Sequence, residues 1–167
     1  MGECCIRSCQ ANSILSEVKT MEKLKKTPEK YREEAENYFL EGFNCAQAVF
    51  AAFHEEVGLT ESQALKMSSA FGGGMGRLRE VCGAVSGMFM VLGMLHGYDD
   101  AKADDEKKLL YSRVQKLAED FKSEYGTIIC RELLGVDGAE KPEPTPRNPE
   151  FYEKRPCLAT RSFLWGG

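Results

Sequence analysis

An all-α fold, a bundle of five or six helices with an extended C-terminal strap, is what three features of this 167-residue chain predict. Apolar residues recur at spacings of three and four in successive segments, the signature of helices with one buried face. No segment alternates apolar and polar residues in the way a half-buried strand requires. Capping residues and glycines punctuate the chain where those apolar stripes begin and end.

Taken in order, residues 1–26 are polar and unpatterned and are expected to form a flexible extension. Thr27 followed by Pro28 predicts a helix start, because Pro tolerates the first helical position. That helix runs to about Glu41, with Tyr31, Ala35 and Tyr38 facing inward and Gly42 ending it. Asn44 with Gln47 three residues later is a capping-box pattern. Cys45, Ala48, Val49, Ala52 and Phe53 then mark one stripe of a second helix that Gly58 closes. Thr60 and Gln63 cap a third, whose inner side carries Ala64, Leu65, Ser68 and Phe71.

The stretch from Phe71 to Gly97 joins a glycine-rich turn to an apolar run. The run falls short of the about 20 apolar residues that a bilayer crossing needs, but suits one buried helix. Gly83, Gly87, Gly93 and Gly97 lie in or at the end of it, and each interior glycine costs roughly 1 kcal/mol relative to alanine. Close approach of another backbone or bulky group would compensate, either within the chain or against a second copy in a homodimer. A long helix from about Ala101 to Tyr125 carries the seam Leu110, Val114, Leu117 and Phe121. A short one, Ile128 to Leu134, follows. Residues from Val136 to Pro149 are rich in Pro, Glu and Gly and read as a surface strap. The strap returns Cys157 to the bundle, so the helical domain spans 27–157 and a tail 158–167.

The formal net charge of −4 argues against non-specific nucleic-acid binding, which needs a basic face. Residues 1–30 contain no apolar core long enough for a secretory signal, so a cytoplasmic setting with reduced thiols is expected. The glycines at 72–74 and 76 with Arg77 and Arg79 could cradle an anion, but no strand precedes them and the Walker pattern is absent. The other reading is a turn that needs positive φ angles. His54 and His96 are expected to be surface or capping residues, and Met75, Met88, Met90 and Met94 core filling.

Seven cysteines in a chain expected to be cytoplasmic call for chemistry or burial. Cys4, Cys5 and Cys9 sit in the unpatterned extension. Cys45, Cys82, Cys130 and Cys157 are far apart, and none forms the close pair that announces a zinc or cluster site. Cys45 and Cys82 both fall at helix starts, where unpaired N–H groups favour a thiolate. Gathered at one end of a bundle, the four would suit a [2Fe–2S] cluster or zinc, or would make pairs that cycle between dithiol and disulfide.

NCAQAV at Asn44 to Val49, FGGGMGR at Phe71 to Arg77, CGAVSG at Cys82 to Gly87, the cysteine before ELLG at Cys130 to Gly135, and Cys157 together resemble the redox-active family named for its C_GCAxxG_C_C cysteine pattern. The resemblance runs from about Tyr31 to Cys157. It implies a redox role for Cys45, Cys82, Cys130 and Cys157, and a related domain occurs in a dimeric haem- and iron-bearing cytochrome. This chain has no CxxCH motif, so covalent haem is not implied.

The leading expectation is an electron-transfer protein in which these four cysteines hold an iron–sulfur cluster, most simply [2Fe–2S]. A metal-free thiol–disulfide protein with Cys82 as the attacking thiolate and Cys45 as its companion is the second reading. A zinc-stabilised or binding module, serving a neighbouring membrane transporter, is the third. A redox partner goes with the leading case, and a homodimer is one of the two ways in which the glycine-faced central helix could be packed.

Overall fold

In a computed structural model, the structure describes residues 24–153 and Cys157. The extension with Cys4, Cys5 and Cys9 up to residue 23, and the tail 158–167, lie outside the described residues. The described chain is mostly helical and contains no strand.

The first helix, α1, is Pro28–Leu40, preceded by Thr27 and opening on proline as expected. Its inner stripe is Tyr31, Ala35 and Phe39, so Phe39 takes the place expected of Tyr38. Tyr38 is only half-buried and hands its hydroxyl to Glu61 at 3.0 Å, which keeps its polar end toward water. Helix α2, Cys45–Ala52, starts with the complete capping box. Asn44 accepts from the N–H groups of Ala46 and Gln47, and Gln47 accepts from Asn44 N–H. All but one of its residues are buried, so the stripe read from the sequence widens to almost the whole circumference. It ends earlier than expected, and turns carry the chain to Gly58. Helix α3, Glu61–Ser68, has the Thr60–Gln63 box and buries Ala64 and Ser68.

A short 3-10 turn, Ser69–Phe71, leads into the glycines. Gly73, Gly74, Met75, Gly76 and Arg77 all have φ between +61° and +69°, a turn of left-handed backbone. This settles the glycine-rich segment as the positive-φ turn. Each non-glycine residue in that conformation costs roughly 1–2 kcal/mol, so Met75 and Arg77 are held there by their surroundings. Arg79 is a third such residue, at φ 62°.

Helix α4, Gly83–His96, packs along α2. A Cβ at Gly83 would stand 2.4 Å from the Cys45 sulfur, and one at Gly87 3.0 Å from Val49 Cβ and from the Ala46 carbonyl oxygen. Those two glycines are therefore explained by close approach within the chain. Gly93 meets nothing within 4 Å and has no such reason. Helix α5, Asp104–Tyr125, begins three residues later than expected and fully buries only Phe121 of its seam. Helix α6 is Cys130–Leu134, and the strap beyond it carries an unexpected short helix, α7, Pro149–Glu153. Asn148 accepts from Phe151 N–H at 2.9 Å, and Asn followed by Pro is the local signal for that start.

Candidate redox site

The four cysteines arrive at one place by four different routes. Cys45 is the first residue of α2, fixed by its capping box. Cys82 is the N-cap of α4. An isolated antiparallel bridge between Val81 and Ile129 ties the entrance of α4 to that of α6. Cys82 N–H donates to Ile128 O at 2.8 Å and Cys130 N–H to Glu80 O at 2.6 Å, which sets Cys82 and Cys130 on adjacent extended segments. Gly74 allows this, since a Cβ there would lie 2.6 Å from Cys130 Cβ. Cys157, returned by the strap, packs on the cluster of Phe39, Cys45 and Ala48.

All four line a single cavity of about 480 Å³ between the glycine turn, the start of α2 and the strap. Cys45, Cys82 and Cys130 are buried and Cys157 half-buried, and no disulfide joins any two of them. No three His, Cys, Asp or Glu side chains among the described residues stand together as ligands of one metal ion.

Burial pushes the Cys82 thiol well above its ordinary range, and the neighbouring Cys45 and Cys157 push the same way. The N–H groups of Val85 and Ala84 oppose that shift and lose. The helix start is present as expected, but its preference for a thiolate is outweighed by the desolvation of a sulfur that is 4% exposed. Burial therefore favours the thiol form of Cys82, against the thiolate that its helix-start position alone would favour.

Arginines form the other half of the site. Arg77, Arg79 and Arg147 line the cavity, and no aspartate or glutamate is among the described residues that do so. Arg79 is wholly buried. It donates to the Cys130 sulfur at 3.8 Å and pairs with Glu140 on the strap, while its Nε has no hydrogen-bond partner. Arg77 shares the same Glu140 oxygen at 2.5 Å. Arg147 donates to the carbonyls of Phe39, Gly42 and Phe43 and lies 4.6 Å over the rings of Phe39 and Phe151. Three guanidiniums with one carboxylate leave a positive excess beside the sulfurs. Sequence reasoning noticed Arg77 and Arg79 as anion contacts but missed Arg147 and Glu140, whose partners are more than 60 residues away.

His54 Nδ1 faces Leu59 O at 3.2 Å, a turn contact remote from the cavity. No helix among the described residues is long and apolar enough to cross a membrane.

None of the curated proteins and none of the solved structures compared matches this chain. One family model does, that described as "Putative redox-active protein (C_GCAxxG_C_C)", over residues 43–161. That span contains all four cavity cysteines and most of the chain, and on it the protein belongs to the C_GCAxxG_C_C family.

Proposed function

We propose that Cys45, Cys82, Cys130 and Cys157 hold an iron–sulfur cluster, most simply [2Fe–2S], and that the protein transfers electrons in the cytoplasm to and from a redox partner. The observation that carries this reading is the meeting of four sulfurs, from four separate elements, around one cavity whose remaining charged groups are cationic. A [2Fe–2S] cluster divides four cysteine sulfurs between two irons and so does not require three ligands at one point. With its cysteinates it is net negative, which the arginine excess would offset. The unpartnered Nε of wholly buried Arg79 fits the same picture, because an unsatisfied buried donor costs about 1–3 kcal/mol unless something accepts from it.

When bound, such a cluster supplies one-electron chemistry; the chain's own part is electrostatic and steric. Arg79 holds positive charge against Cys130, the α2–α4 contact fixes Cys45 beside Gly83, and the strap lines one side of the cavity. Each of these acts on the potential through hydrogen bonding, net charge and solvent exposure.

The test is anaerobic purification followed by iron and acid-labile sulfide analysis. Iron and sulfide in equal amounts support the reading, and serine at any one of the four positions should sharply lower iron retention. A protein with neither element, even after reconstitution, ends it.

The alternative is metal-free cycling between dithiol and disulfide, favoured by the four cysteines that line the one cavity without a disulfide between them. On that reading Cys45 and Cys82 are the natural pair. A reversible loss of two thiols on mild oxidation, in iron-free protein, would favour it over the cluster.

A further inference from the structure

The strap differs from everything else that bounds the cavity. Every residue from Arg131 to Tyr152 is exposed or half-buried, so this segment contributes no fully buried side chain to the core. Its prolines at 142, 144, 146 and 149 fix φ and leave it stiff, but they donate no hydrogen bonds.

Much of what holds the strap down is polar and converges on arginines at two points. At the first, Glu140 pairs with both Arg77 and Arg79. There Arg77 also donates to Lys141 O at 2.7 Å and to Thr145 at 2.9 Å, and Glu140 N–H returns to Arg77 O at 3.1 Å. At the second, the strap's own Arg147 grips the carbonyl end of α1 through Phe39, Gly42 and Phe43. The cavity lies between the two points, and Cys157 lies just beyond the second.

We infer that the segment 136–149 is a lid over the cysteine cavity, closed by two arginine clasps, one an ion pair and one made to backbone carbonyls, and opening as a unit without unfolding the bundle. It rests on the cavity being the redox site, and it holds whether the sulfurs carry a cluster or act as free thiols. Segments with few buried apolar contacts open at a small fraction of the global unfolding free energy, whereas α2 and α4, which carry Cys45 and Cys82, open only with the core. Access of solvent, oxidant or chelator to Cys45 and Cys82 is therefore set by the clasps. Arg77 and Glu140 are partly exposed, so added salt loosens the first clasp through them, while wholly buried Arg79 is screened less.

The experiment is pulse labelling with iodoacetamide on the full chain, purified anaerobically, with iron content recorded and Cys45 and Cys82 mapped by mass spectrometry. Amide hydrogen exchange of α2 and α4 is followed in parallel. Raising salt from about 0.1 M to about 1 M should speed labelling, and Glu140→Gln should speed it about tenfold at the lower salt and remove most of the salt effect. Exchange in α2 and α4 should stay unchanged. In a sample that carries iron, the rate of iron loss to a chelator is read in place of labelling, with the same expectations. If Glu140→Gln does not fold, Arg147→Lys, which keeps the charge and loses the fork, carries the test in the same direction. Rates within about twofold of the parent in the variants and at both salts overturn the lid. So does acceleration that appears only together with faster exchange in α2 and α4, because the core is then what opens. Absence of iron would end the cluster reading and leave this outcome intact.

Discussion

The two walls of the cysteine cavity are built on opposite principles. On one side α2 and α4 meet through Gly83 and Gly87 against Cys45, Ala46 and Val49, a dry contact with almost every residue of α2 buried. On the other side a left-handed turn and a proline-rich strap meet through guanidiniums, one carboxylate and backbone carbonyls. The first wall fixes sulfur positions by packing, which tolerates changes of less than a methylene. The second holds cationic groups beside the sulfurs through contacts to one carboxylate and to backbone carbonyls. On the proposed function the packed wall would hold the ligands, and the proposed lid would govern access to them.

That contrast can be broken at either wall. The largest expected effect is Phe50→Ala on the packed side, where a fully buried ring is lost; it should cost about 3–5 kcal/mol in denaturant unfolding. Gly83→Ala should cost about 1–3 kcal/mol by overpacking and, because its Cβ would collide with the Cys45 sulfur, should also reduce iron retention. At the ionic wall, Glu140→Ala removes the carboxylate shared by two arginines. Its cost should be about 1–3 kcal/mol, below that of a fully buried pair, because Glu140 is 32% exposed. A pH series sharpens the comparison further. In iron-free protein, burial keeps Cys82 protonated, so its alkylation should rise only at pH above the ordinary thiol range near 8.5. A midpoint below that range would mean that Cys82 is more open than its packing implies. Least affected should be Lys30→Ala, which removes an exposed pair with Glu33 far from both walls and should change stability by less than about 0.5 kcal/mol.

The packed wall was largely legible in the amino-acid order, and the ionic wall was not. Asn44 with Gln47, Thr60 with Gln63, and the glycines at 83 and 87 announce helix starts and a close crossing through local spacing alone. Tertiary packing then changed details that spacing does not determine: Phe39 displaced Tyr38 from the core, and α2 stopped at Ala52. The ionic wall depends on pairs such as Arg77 with Glu140 and Arg147 with Phe43, whose partners are set by the path of the strap and leave no periodic trace. The bridge between Val81 and Ile129 is likewise invisible, since one pair of residues has no pattern. Cys82 shows why a local rule can fail without being wrong. Its helix start does favour a thiolate, yet desolvation of a buried sulfur is the larger effect.

The four sulfurs form one electron-accepting unit in this account, and optical spectroscopy addresses that most directly. Anaerobically isolated protein should absorb broadly between roughly 300 and 600 nm, bleach with dithionite, recover on oxidation, and lose all of this when Cys157 is changed to serine. A colourless protein after reconstitution, or a spectrum indifferent to Cys157, would contradict the account.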